Sequence, residues 1–75
     1  SLRDRSMITI ASLLTAGQYP QLKSHLALGK EHGIQKEEVV EIITQLAFYC
    51  GWPKAWSAFP LIEEIYEEEP AISEE

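Results

Sequence analysis

Only one of the 75 residues is a cysteine, Cys50. A lone thiol excludes an internal disulfide and a cysteine-based zinc cluster. It also suits a reducing compartment, and a cytoplasmic protein is expected. Long apolar runs are missing too. No stretch approaches the roughly 18 apolar residues of a membrane span, no secretory signal pattern is visible, and no membrane partner is expected. Cations are scarce, with 6 Lys and Arg against 12 Asp and Glu and a net charge of −6. A nucleic-acid partner calls for the opposite sign, so none is expected. No apolar–polar alternation of useful length occurs, which argues against a sheet, and no internal repeat stands out. The chain opens at Ser1 without a methionine, as a processed, engineered or truncated start would.

What is present is apolar and helical in period. Hydrophobic residues make up 45% of the chain, an ordinary share for a folded protein. A chain of this length buries only about 60% of its unfolded surface and is marginal alone. Trp52, Trp56 and the other aromatics add more apolar surface than one small bundle hides. A homo-oligomer is therefore expected.

Ser1 reads as an N-cap with Asp4 at the third helical position, a variant of the capping box. The first helix should run from about Leu2 to Ala16. Met7, Ile10, Ala11 and Leu14 form its main apolar face, Ile8 and Leu13 lie alongside, and Gly17 ends it. Gln18 and Tyr19 form a loop with Pro20, which can open a second helix to about His32. Leu22, Leu26 and Gly29 line one face there, with His25 beside them, and Gly33 is a second C′ glycine.

The central stretch is Ile34 to Trp56. Glu37 and Glu38 place negative charge in a first turn. Val39, Ile42, Ile43, Leu46, Ala47 and Cys50 then recur at helical spacing. Val40, Phe48 and Tyr49 widen that face, which predicts a helix buried on two sides. Gly51 stops it in a left-handed conformation, and Pro53 opens a fourth helix to about Glu68. Trp56, Phe59, Ile62 and Tyr66 are in register there, and Pro60 predicts a kink or a break. Glu63, Glu64, Glu67, Glu68, Glu69, Glu74 and Glu75 read as a solvated helix end and frayed tail. The expected class is all-α: one helical domain over residues 1–69, then an acidic tail over 70–75.

Several side chains are candidates for chemistry. His25, among Leu22, Leu26 and Leu28, is either a general acid or base or a satisfied structural histidine. His32 follows seven residues later, two turns along the same face. A spacing of four would suit a metal better, and a role at the negative helix end is the simpler reading. Arg3 and Arg5 sit in a first turn, where cations oppose the helix dipole. They either grip a carboxylate ligand bidentately or pair with Glu37, Glu38 or Glu41. Glu41 is the one acid amid the apolar positions of its helix. It either faces solvent or, if buried, needs Arg or His beside it. Cys50 reads as a small core residue rather than a nucleophile.

Two pieces of the chain, SLRDRSMITIASLLTAG and LKSHLALGKEHGIQKEEVVEIITQLAFYCGWPKAWSAF, resemble the carboxymuconolactone decarboxylase family. That family shares an all-helical fold with the alkylhydroperoxidase D-like proteins. The second piece carries the more specific features: His25, Gly33 eight residues on, the Glu37-Glu38 helix start, Glu41, and Tyr49, Gly51 and Pro53 in alternation. The redox branch uses Cys-x-x-Cys-x-x-x-His with a glutamate about twelve residues upstream. With His25 as that histidine, the cysteine positions fall on Gln18 and Gln21 and the glutamate position near Ser6. Thiol peroxidase chemistry is thereby disfavoured, since a disulfide cycle needs two thiols within reach.

The decarboxylase branch implies loss of CO₂ from γ-carboxymuconolactone in aromatic catabolism, with no cofactor and no metal. The partner would be a small carboxylated molecule. On this resemblance His25 is the proton donor or its orienter, with Glu41 beside it as a second catalytic or bracing group. Arg3 and Arg5 hold substrate carboxylates, and Tyr49 lines the pocket. Family members usually carry a further helix ahead of the LRDR-like start, so the resemblance implies either a fragment or a pared-down member whose pocket a neighbouring subunit completes, in a trimer or hexamer. A non-catalytic helical binding module of the same fold is the alternative, and a thiol-dependent antioxidant protein is the third reading.

Overall fold

Three glycines at positive φ punctuate the chain: Gly17, Gly33 and Gly51. The computed structural model describes residues 1–67. It contains four helices and, among the described residues, no strand: α1 (Leu2–Ala16), α2 (Tyr19–Glu31), α3 (Lys36–Cys50) and α4 (Trp52–Tyr66). The tail over 70–75 and the acids from Glu68 onward lie outside the described residues.

Each boundary has a local cause. The Ser1 hydroxyl accepts the Asp4 N–H at 3.1 Å and caps α1. Gly17 closes α1 in the left-handed region, and its N–H bonds back to Leu14 O at 3.0 Å. The second helix starts one residue earlier than expected, with Pro20 in its first turn, where a missing N–H costs nothing. Glu38 reaches back to the Gln35 N–H at 2.8 Å and caps α3. The corner after α3 is tighter than expected. Gly51 alone separates the two helices, at φ 101 and ψ 141, a combination that only glycine adopts without strain.

The core takes one face of each helix: Ile10 and Leu14 of α1, Leu22 and Leu26 of α2, Val39, Ile43 and Ala47 of α3, and Ala55, Ala58, Ile62 and Tyr66 of α4, with Ile34 from the loop. The first helix packs mainly on α2 and also on α3, while α4 packs on α3 and α2. Gly29 lets α1 and α2 approach closely. A Cβ there would lie 3.1 Å from Ile34 Cδ1 and 3.2 Å from Ile10 Cδ1.

Three expectations are corrected, and a fourth is narrowed. The third helix is not buried on two sides, because Phe48 and Tyr49 are 71% and 78% exposed. At 100° per residue they fall off the Val39–Ile43–Ala47 face, and no other described element covers them. Ile8 likewise faces solvent. The buried face of α4 is set by Ala55 and Ala58, and Trp56 is exposed. Small residues let the helices approach closely, whereas an indole on that line would hold them apart. Of the kink or break expected at Pro60, the break does not occur, since α4 runs through it. The half-exposed Phe59 and exposed Trp56 flank it, so the carbonyl it leaves unbonded is on the wet side of the helix.

The far end of the bundle is tied by polar contacts. The buried Tyr66 hydroxyl donates to Ile34 O at 2.7 Å. Lys30 Nζ donates to Ile65 O at 3.1 Å and sits 5.4 Å from the Tyr66 ring centroid. These contacts hold the α2–α3 loop against the end of α4.

Candidate functional site

The first helix shows different sides to its two neighbours. Ser6 turns toward α2, where its hydroxyl lies 2.8 Å from His32 Nδ1. Met7 and Ala11 turn toward α3 and, with the solvent-exposed Ile8 at the rim, form one wall of an open groove. Glu38, Glu41, Ile42, Gln45 and Leu46 form the other. The groove has two adjoining hollows of about 360 and 300 Å³ that share Met7, Ile42 and Gln45. Its start is acidic, with Glu38 and Glu41, and its continuation is almost wholly apolar.

Two of the five candidate site residues lie at the acidic end, Arg3 through its ion pair with Glu38 and Glu41 as a lining residue. Arg3 is ion-paired with Glu38, which resolves the three acids that the spacing allowed into one. Both side chains are 39% exposed, so water screens the pair and it orients more than it stabilises. The Gln35 backbone N–H, then the Arg3 guanidinium, hold the Glu38 carboxyl below the ordinary glutamate range, with partial desolvation opposing them. Glu41, one turn on, is exposed and lines the groove. Arg5 is exposed and makes no ion pair among the described residues.

His25 and Tyr49 lie elsewhere. His25 is half-buried on α2, beside the fully buried Leu22 and Leu26, and lines neither hollow. Tyr49 follows Ile42, Gln45 and Leu46 on the same side of α3, which puts it beyond the apolar end. Eleven residues separate it from Glu38, about 16 Å along the helix. A single chain therefore gathers Arg3 and Glu41, and leaves His25 and Tyr49 apart from them.

One pair was not legible in the sequence. Ser6 is the buried polar side chain of the described core, 6% exposed, and its partner is His32. His32 is the C-cap of α2, where its backbone N–H bonds to Leu28 O and Gly29 O at 3.0 Å, while its ring turns to Ser6. Nothing in a 26-residue separation announces this contact. Only the return of α2 along α1 creates it. Cys50 is partly buried against the core and unpaired among the described residues. No group of three or more His, Cys, Asp or Glu among the described residues could hold a metal ion. No helix among them is long and apolar enough to cross a membrane.

A second surface feature is aromatic. Phe48, Trp52, Trp56 and Phe59 form a ladder across the α3–α4 corner, with centroids 5.4, 6.2 and 5.5 Å apart. Phe48 and Trp56 are mostly exposed and Trp52 partly so, with Tyr49 adjacent in sequence.

Comparison with known proteins adds the following. The sequence profile of the carboxymuconolactone decarboxylase family matches residues 1–64. A 4-carboxymuconolactone decarboxylase of Acinetobacter baylyi (strain ATCC 33305 / BD413 / ADP1) is 34% identical over 64 residues, which cover 85% of this chain. The matched part is 48% of that relative, so the chain spans about half the length of the curated relative it matches. No solved structure matches the chain.

Proposed function

Because the chain belongs to the carboxymuconolactone decarboxylase family, we propose that it is a carboxy-lyase acting on a small carboxylated lactone, of the 4-carboxymuconolactone kind, in aromatic-compound catabolism in the cytoplasm. The observation that carries this reading is the 34% identity, over 64 residues, to a decarboxylase of that name. In the reaction the bond from the lactone carbon to the carboxylate breaks and CO₂ leaves. The electron pair is delocalised into the unsaturated lactone, and a ring carbon takes a proton. His25 supplies that proton and regains one from solvent. Arg5, with no ion pair of its own among the described residues, holds a substrate carboxylate. Arg3 does so by exchanging Glu38 for substrate. Glu41 and Tyr49 brace the substrate from α3.

The active form in this reading is a homo-oligomer, a trimer or hexamer. Two observations support it. His25 and Glu41 are not brought together within one chain, so another copy would complete the constellation. The exposed Phe48, Tyr49, Trp52 and Trp56 form the kind of contiguous apolar patch that marks an interface. The separation of His25 from Glu41 also favours the other reading, a helical binding module without chemistry.

The test is an ultraviolet assay for loss of 4-carboxymuconolactone by the parent and by His25→Ala, with assembly mass measured by light scattering. The expected loss in kcat is about 10²–10⁴-fold at unchanged mass. A His25→Ala variant that keeps full turnover and only melts earlier makes the histidine structural. A well-assembled parent without turnover favours the binding module.

A further inference from the structure

A hydroxyl in a helix usually donates to the carbonyl four residues back, and Thr15 and Ser57 do so, to Ala11 O at 2.9 Å and Pro53 O at 3.1 Å. Ser6 is different. It is 94% buried, and its partner among the described residues is His32 Nδ1 at 2.8 Å. A buried hydroxyl proton needs an acceptor, and the ring nitrogen is the acceptor present. Ser6 therefore donates and Nδ1 accepts, so the neutral ring carries its proton on Nε2. Nε2 is on the ring edge away from Ser6, and His32 is only partly buried. The residue preceding Ser6 is Arg5, exposed and without an ion pair among the described residues.

We propose that Ser6 is a positioning residue that fixes His32 as an Nε2–H donor, and that His32 and Arg5 together form a carboxylate subsite on the α1–α2 side of the bundle. An N–H donor beside a guanidinium offers a carboxylate a charge-assisted contact at one oxygen and a forked one at the other. His25 lies two turns along the same side of α2, about 10 Å away along the helix. A ring-bearing acid held by its carboxylate at His32 and Arg5 would extend toward His25. This assignment rests on the carboxylated-substrate reading for its choice of ligand, but it makes the anion-holding groups Arg5 and His32 rather than Arg3 and Arg5.

The test uses the whole chain and a non-reacting ring acid, cyclopentanecarboxylate. Long-range ¹H–¹⁵N spectra at about pH 8, above the ordinary imidazole range, report which nitrogen of each histidine is protonated. His25→Gln and His32→Gln assign the signals. The parent should show His32 protonated at Nε2, and the acid should shift that signal saturably. Arg5→Leu and His32→Phe should each weaken binding at least about tenfold, and His32→Gln, which keeps an N–H donor, should recover part of the loss. Ser6→Ala should mix the tautomers and weaken binding, a result that a merely structural tie would not give. A His32 protonated at Nδ1, the lack of a saturable shift, or binding unchanged in Ser6→Ala and His32→Phe would overturn the assignment. Binding as described without lactone turnover leaves the subsite standing and removes the lyase reading. Lactone turnover with unchanged KM in His32→Phe does the reverse.

Discussion

Replacing Tyr66 by phenylalanine removes one oxygen from the end of the bundle. That oxygen donates to Ile34 O at 2.7 Å, and the two residues are 4% and 1% exposed. The carbonyl belongs to the loop between α2 and α3, outside any helix, so no i+4 N–H takes over. The ring itself stays, and no cavity opens. What is lost is a hydrogen bond, and what is left is a buried carbonyl without its donor, together costing about 1–3 kcal/mol. In a domain of this size each kcal/mol lowers Tm by roughly 4–8 °C, so a shift on the order of 10 °C is expected. Trp52 and Trp56 are both exposed and report unfolding poorly. Urea unfolding should therefore be followed by circular dichroism at fixed protein concentration, which also fixes any effect of assembly. The midpoint should fall with the slope unchanged. A midpoint within about 0.3 kcal/mol of the parent would mean that the carbonyl finds another partner and that this contact does not tie the loop to α4.

Other outcomes follow from the same geometry. Glu38 has a lowered pKa in the folded chain. Its contribution is therefore present at and above the ordinary carboxylate range and is lost as pH falls from about 4.3 through the lowered value. Glu38→Gln should flatten that acid limb in urea midpoints measured against pH, and an unchanged limb would contradict the assigned contacts. Gly29→Val should lose about 1–3 kcal/mol by crowding Ile10 and Ile34, and a more stable variant in the same urea assay would show that the α1–α2 contact has slack. Gly51→Ala should cost on the order of 1–3 kcal/mol, because φ 101 with ψ 141 strains any Cβ. Equal thermal stability would mean the corner reshapes freely. Trp56→Lys should lower the assembly mass in light scattering while helicity is kept, whereas unchanged mass would move the interface away from the aromatic ladder.

The fold was largely legible because punctuation and period agreed. Gly17, Gly33 and Gly51 sit where helices stop, and Pro20 and Pro53 where they start. The apolar recurrences of α1 and α2 pointed inward at Ile10, Leu14, Leu22 and Leu26. The fourth helix misled because hydrophobicity ranks Trp56 and Phe59 above Ala55 and Ala58, whereas close packing selects the small pair. Phe48 and Tyr49 misled for a related reason: an apolar residue on a helix is not thereby on its buried face. At the site, charge spacing narrowed the partner of Arg3 to three acids but could not choose Glu38, which depends on how α1 lies along α3. The Ser6–His32 contact was out of reach, since it joins two helices through a tertiary approach that the closely packed Gly29 permits.

The central claim is decarboxylation, and its most direct measurement is stoichiometry. 4-Carboxymuconolactone labelled in the carboxylate would be incubated with the assembled protein in D₂O, with released CO₂ and product counted together. Decarboxylation predicts one CO₂ per lactone consumed and one solvent-derived deuterium on a ring carbon of the product. Lactone consumed by ring opening with the label retained, or no consumption at all, would contradict it.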